Sequence, residues 1–284
     1  MKRKRNNFNK KIKKKMKKNT ILVCGDIHGR KFWKKPCENI DNYDKVVFLG
    51  DYLDPYNFEF ISVEEAIENF KEIIELKRNN MDKVILLIGN HDCPYAFKDY
   101  FNLSSYHCRH SKLFHNVISK LFTENKDLFQ IAYVYPTQSL SINDEILFTH
   151  AGVESNWLDK VVKCDETDIH KIAETLNTLT ETKTGLIKLF CITPERGGRD
   201  KYGSCIWCDV HDMYWDNELK RNPEVTIKPI QNIKQIFGHT LQAYYNENRK
   251  IVYGDAWEFD NCKMLDTTNA YELNAETFTI TKIG

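Results

Sequence analysis

From residue 20 onward the chain repeats one pattern: a short apolar run breaks off into a polar side chain, in most cases through a glycine. Residues 20–24 (TILVC) lead into Gly25-Asp26, 45–49 (KVVFL) into Gly50-Asp51, and 83–88 (KVILLI) into Gly89-Asn90. Residues 145–149 (EILFT) lead into His150, and 233–237 (IKQIF) into Gly238-His239. The runs are too short for helices and rich in Val and Ile, so they predict strands covered on both faces. A different period governs 62–79. There Val63, Ala66, Ile67, Phe70, Ile73 and Ile74 share one helical face. Ser62 supplies an N-cap, and Glu65 closes a capping box. Weaker helical patterns lie near 110–124 and 167–178. Strand, helix, strand order predicts an α/β body. No internal repeat and no Pro- or Gly-rich linker divides it, so one domain is expected over 19–284.

Charge separates off the first 18 residues. The chain carries 41 Lys or Arg against 40 Asp or Glu, a net charge of +1. Eleven of the basic residues lie in 1–18, which hold no acid; the remainder, 30 against 40, carries about −10 with His neutral. Like charges this dense repel, so 1–18 reads as a disordered basic tail, with weak contact to nucleic acid or an anionic surface as its functional reading. Most of the acidic excess reads as solvated surface, and a carboxylate-lined metal site is the candidate for the rest. The nine cysteines are odd in number in a chain that is not small, and the charged N-terminus has no apolar core after it. They read as reduced thiols of a cytoplasmic protein. No run reaches the ~18 apolar residues of a membrane span.

In open α/β sheets, ligands bind beyond the carboxyl ends of the strands. Asp26, Asp51, Asn90, His150 and His239 all fall at such ends, and His28 follows two residues after Asp26. These are oxygen and nitrogen donors that divalent first-row metals accept. The period of a strand points Asp26 and His28 the same way, and Gly29 allows a tight turn beneath the metals. The Asp51 carboxylate suits a bridge between two ions, one oxygen to each; Asn90 adds a neutral oxygen, His150 and His239 nitrogens. Two ions about 3.5–4 Å apart share a water, lower its pKa and clamp the attacking and leaving oxygens of an in-line displacement at phosphorus. A lone Gly-Asp after a strand is more often a turn in which Asp bonds its own backbone. Five polar strand exits in one chain are hard to attribute to turns.

The ordered set Gly25-Asp26-Ile27-His28-Gly29, Gly50-Asp51-Tyr52-Leu53-Asp54, Gly89-Asn90-His91-Asp92, Thr149-His150-Ala151-Gly152 and Gly238-His239-Thr240 resembles the calcineurin-like metallophosphoesterases. Within them it is most similar to the branch of the Ser/Thr protein phosphatases and the bis(5′-nucleosyl)-tetraphosphatases. Residues 203–209 (GSCIWCD) and 264–267 (MLDT) resemble that branch too, so the likeness spans about 20–270. It implies an α/β (α+β) fold: a four-layer sandwich of two mixed β-sheets flanked by helices. It also implies a first metal on Asp26, His28 and bridging Asp51, and a second on Asp51, Asn90, His150 and His239. Manganese is the expected ion, with Fe, Zn, Co and Ni as the others these donors accept. His91 would protonate the leaving oxygen, and Asp54 would orient His91.

The chain departs from those phosphatases around the phosphate. Pro55 stands where many of them have Arg, Asp92 where they have Glu, and Ile88 where they have Arg. Phosphoryl oxygens still need cationic forks, and Arg196 and Arg199 in the loop 195–200 (ERGGRD) are the candidates. The Cys205-Ile206-Trp207-Cys208 pair has no second CxxC and reads as structural. His107, Cys108, His110 and His115 fit no standard metal spacing and read as a polar helix surface. Trp157 is expected to pack the loop after His150. The function expected is metal-dependent hydrolysis of phosphomonoesters on a protein or small molecule. A dinucleoside tetraphosphate is the rival substrate; a nuclease and a non-catalytic scaffold rank below both.

Overall fold

The computed structural model describes residues 19–100, 112–137, 144–165, 167–208, 228–240, 243–245, 251–253, 256–259 and 261–283. The basic tail 1–18 lies outside them, as do His107, Cys108 and His110. Thirteen strands are seen among the described residues: β1 Thr20–Cys24, β2 Lys45–Phe48, β3 Val84–Leu87, β4 Phe129–Gln130, β5 Tyr133–Tyr135, β6 Ile146–Phe148, β7 Lys234–Phe237, β8 Ala243–Tyr245, β9 Ile251–Tyr253, β10 Trp257–Phe259, β11 Cys262–Met264, β12 Ala270–Asn274 and β13 Thr279–Ile283. Four helices exceed one turn of regular α structure: α1 Val63–Asn79, α2 Lys112–Glu124, α3 Ile169–Thr178 and α4 Lys183–Leu189.

The strands form two mixed sheets. One runs β13-β12-β1-β2-β3-β4, the other β10-β11-β7-β6-β5, with β8 and β9 as a separate ribbon. Strands β1 to β4 are parallel, and so are β11, β7 and β6. Alternation along each run then builds the layers. Ile21, Val23, Val47, Leu49, Ile85 and Leu87 meet Ile146, Phe148 and Ile236 between the sheets. Their neighbours Leu22, Val46, Phe48, Val84 and Leu86 point outward onto Ile67, Phe70 and Ile73 of α1 and Ile118 and Phe122 of α2. On the far side, Leu147 packs with Ile172, Leu176 of α3 and Leu186, Leu189 of α4. The expected four layers are present, and both-face burial explains the continuous apolar runs.

Helix α1 begins as its sequence dictates: Ser62 Oγ accepts from the Glu65 amide at 3.1 Å, and the Glu65 carboxylate accepts from the Ser62 amide at 2.9 Å. Its buried face includes two polar residues, Lys77 near its end and, amid the apolar stripe where periodicity passes over it, Asn69. That amide accepts from the Trp33 indole at 3.1 Å and donates to the Arg30 carbonyl at 3.0 Å, tying the helix to the loop after β1. Trp157 is fully buried, its indole donating to the Lys188 carbonyl at 3.1 Å. Cys205 and Cys208 are buried in a turn whose Cys205 carbonyl accepts from the Ala151 amide at 2.8 Å. His115 corrects the expectation of a polar helix surface: it is 3% exposed and packs against the Tyr95 ring. Among the described residues no helix is long and apolar enough to cross a membrane.

Candidate metal centre

Register brings the polar strand exits together. Cys24 pairs Phe48 and Phe48 pairs Leu86 in one sheet, while Phe148 pairs Ile236 in the other. Asp26, Asp51, Asn90, His150 and His239 therefore emerge at the same end of the sandwich, at most 8% exposed. Four of the candidate side chains sit on left-handed backbone: His28 (φ 43°), Asp51 (φ 51°), Asp54 (φ 62°) and His239 (φ 68°). Such values are uncommon outside glycine and cluster where the surroundings over-determine them. Strand alternation thus does not aim His28 beside Asp26, as the spacing suggests; a turn does. Gly29 (φ 78°) likewise makes room for α1, since a Cβ there would come within 3.0 Å of the Ala66 Cβ.

Hydrogen bonds hold these turns. The Asp92 carboxylate accepts from the amides of Asp51 (2.8 Å), Tyr52 (3.0 Å) and Gly89 (2.9 Å). Asp92 is thereby a clamp on the loops carrying Asp51 and Asn90. Burial, helped by nearby Asp51, pushes its carboxyl up to about 8. Gly89 is forced by close approach: a Cβ would lie 2.1 Å from Asp51 Oδ1.

The histidines are aimed by what their other nitrogen does. His28 Nδ1 lies 2.8 Å from the Leu53 carbonyl and 3.0 Å from that of Asp54. His150 Nδ1 lies 2.9 Å from the Leu49 carbonyl. A carbonyl only accepts, so both Nδ1 atoms carry hydrogen, and in the neutral ring Nε2 keeps its lone pair. Both Nε2 atoms face Asp51 Oδ2, at 3.7 Å and 3.4 Å. The other oxygen, Oδ1, accepts from the His91 amide at 2.8 Å. Asp51 therefore presents a single oxygen to both sides, where the sequence suggested one oxygen to each. His150 Nε2 also lies 2.9 Å from Asn90 Oδ1 and 3.1 Å from His239 Nδ1, which is itself 3.0 Å from Asn90 Oδ1. Asp26 Oδ1 accepts from the His239 amide at 3.1 Å.

Two buried triads of donor atoms result, His28–Asp51–His91 and Asp51–His150–His239, sharing Asp51. Asp26 lies outside both triads, 4.0 Å from His150 Nδ1. Their charges interlock. Burial pushes Asp51 up, but the His150, His91 and His28 imidazoles outweigh it and hold the carboxyl well below the usual range. Burial pushes His150 down, but Asp51 and Asp26 overcome it and raise the imidazole to about 9. Burial lowers His28 to about 3 and raises Asp26 to about 6. His239 is held well below its usual value by burial and by the Arg196 charge. The donors fit divalent ions on the structure's own terms. Asp51 Oδ2, Asn90 Oδ1, His150 Nε2 and His239 Nδ1 converge, each within 3.4 Å of another of them. A cation among them answers their crowded lone pairs.

His91 Nδ1 lies 3.0 Å from Asp54 Oδ2, and its ring stands edge-on to His28 at 5.0 Å. Arg196 reaches the rim, where Nη2 donates to Thr240 Oγ1 at 2.7 Å, next to His239. Arg199 is exposed. Sequence reasoning missed a second cation, Arg30. It donates to the Asp26 carbonyl at 3.1 Å, pairs with Glu59 and sits 5.7 Å over the Tyr56 ring, which packs 4.9 Å from His28. Its place directly after the GDIHG run was the available signal. Pro55, where the guanidinium of many protein phosphatases would stand, precedes this Tyr56.

The sequence matches the family of calcineurin-like phosphoesterases over residues 19–243. That is most of the chain, and the chain belongs to this family: it is a hydrolase of phosphate esters, from a family that depends on two metal ions. No curated protein matches it. Among solved structures it is similar to a protein serine/threonine phosphatase from Saccharomyces cerevisiae with similarity to human phosphatase PP5. Identity is 14% and the TM-score 0.44, over 90% of this chain and 72% of that one.

Proposed function

We propose that this phosphoesterase hydrolyses phosphomonoesters, with Asp26, His28 and Asp51 as the ligands of one divalent ion and Asp51, Asn90, His150 and His239 as those of the other. The convergence of the His28 and His150 Nε2 atoms on Asp51 Oδ2, each ring turned by a backbone carbonyl, carries this reading. When bound, such a pair of ions lowers the pKa of water and neutralises phosphoryl charge. Manganese is the ion we favour. His91, held by Asp54, gives its Nε2 proton to the leaving oxygen. Arg196 supplies the fork for a non-bridging phosphoryl oxygen, because it reaches the His239 side of the centre. Arg199 is the weaker candidate for that role. Residues 19–284 act as one catalytic domain in this reading. Nine cysteines, an odd number in a chain that is not small, support a reducing, cytoplasmic setting.

The test is a substrate screen on chelator-stripped protein resupplied with Mn²⁺. It compares a phosphopeptide, an aryl phosphate and a dinucleoside tetraphosphate at equal concentration. The reading expects monoester hydrolysis to lead by kcat/KM and Arg196→Ala to raise KM. A lead for the dinucleotide moves the substrate to phosphoanhydrides. No metal-restored activity on any phosphate compound makes the chain a scaffold.

A further inference from the structure

The Asp54 carboxylate has two oxygens, and the site gives each a partner. Oδ2 lies 3.0 Å from His91 Nδ1, and Oδ1 accepts from the Tyr95 hydroxyl at 2.6 Å. Asp54 and Tyr95 are both fully buried, so bulk water does not compete for either oxygen. Tyr95 sits in the single helical turn Cys93–Ala96, directly after the loop that carries Asn90, His91 and Asp92. Its ring is backed by His115 of α2, with centroids 5.0 Å apart. Tyr95 is buried, and its hydroxyl reaches the carboxylate oxygen that His91 does not take.

We propose that Tyr95 is a positioning residue for proton donation at this site: its hydroxyl locks the Asp54 carboxylate in the orientation that holds the His91 ring. This rests on the reading of His91 as the group that protonates the leaving oxygen. A hydrogen bond from a hydroxyl to a carboxylate is short, directional and stronger than a neutral one. Without it the buried carboxylate loses that donor and the restraint it places on rotation about the Cβ–Cγ bond. The Asp54 backbone cannot absorb that turn: its φ of 62° is already left-handed, and its carbonyl is occupied by His28 Nδ1. The His91 ring then loses a fixed partner, while His28 keeps the Leu53 carbonyl.

Tyr95→Phe removes the hydroxyl and keeps the ring. Loaded with Mn²⁺, the variant is expected to lose about tenfold in kcat on an alkyl phosphate, whose leaving oxygen needs a proton, and less than about twofold on p-nitrophenyl phosphate. KM and metal content stay at wild-type values. Added to His91→Ala, it changes nothing further. A readout apart from turnover is the downfield Nδ1–H resonance of His91 in the metal-free protein, assigned by its loss in His91→Ala; it moves in Tyr95→Phe. If that variant does not fold, a fluorotyrosine at 95 keeps the ring, strengthens the bond and shifts the same resonance. Equal slowing of both phosphates, further slowing in the His91→Ala background, or an unmoved resonance overturns the proposal while the wild type remains active. A metal-loaded wild type that hydrolyses neither phosphate overturns the phosphoesterase reading and this proposal together.

Discussion

Asp51 offers one oxygen to two imidazoles while its other oxygen is spent on the His91 amide. One carboxylate thus joins both donor triads and also anchors the backbone of the residue proposed as proton donor. The roles separate under mutation. His91→Ala is expected to retain metal but to slow turnover by roughly a hundredfold for poor leaving groups, and much less for good ones. Rates on a series of aryl and alkyl phosphates check this; an equal loss across the series argues against an acid role. Protons report the ligands independently. His150 is raised to about 9 in the metal-free site, so it is charged at pH 7 and must give up its proton to ligate. His28, lowered to about 3, is already neutral there, and Asp26, at about 6, is mostly ionised. Metal uptake at pH 7 is therefore expected to release about one proton per chain, fading as pH rises through 9. Titration calorimetry in buffers of different ionisation heat measures it. Heats that do not depend on the buffer remove His150 from the ligand set.

At the scale of elements, the strand exits carry the site. Their apolar runs and terminal polar residues were legible because both-face burial writes an unbroken Val- and Ile-rich string. The cap of α1 was equally plain, since a capping box is local in sequence. What was not legible depends on contacts between loops distant in sequence. Asp92 looked like a mere replacement for Glu, yet its carboxylate gathers amides from residues 40 and 41 positions away. Asn69 interrupts an apolar face because it serves Trp33 and Arg30. His28 reaches the centre through a turn, which no periodicity encodes. The same crowding makes a prediction. Gly89→Ala places a Cβ against Asp51 Oδ1 and a displaced Asp51 amide. It is expected to lose most bound metal while the far-UV circular dichroism stays native. Full metal occupancy in elemental analysis counts against the tight Gly89–Asp51 approach.

At the scale of the molecule, the candidate centre lies where two sheets place the ends of their parallel strands together, so the proposed ligands from 26 to 239 meet. The motif order implied this assembly. Which arginine reaches it depends on the path of the 193–204 loop, and only the fold separates Arg196 from Arg199. Because the proposed ligands come from both sheets, bound metal is expected to tie the sandwich together. Ions at 100 times their Kd are expected to stabilise the protein by about 2.7 kcal/mol per site, with a lower Tm after chelation and recovery on adding Mn²⁺. A melting temperature indifferent to chelator places the donors outside any functional metal site. The most direct test counts ions and turnover together: chelator-stripped protein is titrated with Mn²⁺ while bound metal and aryl phosphate hydrolysis are followed. A two-metal centre bridged by Asp51 predicts about two ions per chain with activity rising as the second binds, and loss of both in Asp51→Asn. Full activity in the stripped protein, or two retained ions in Asp51→Asn, contradicts it.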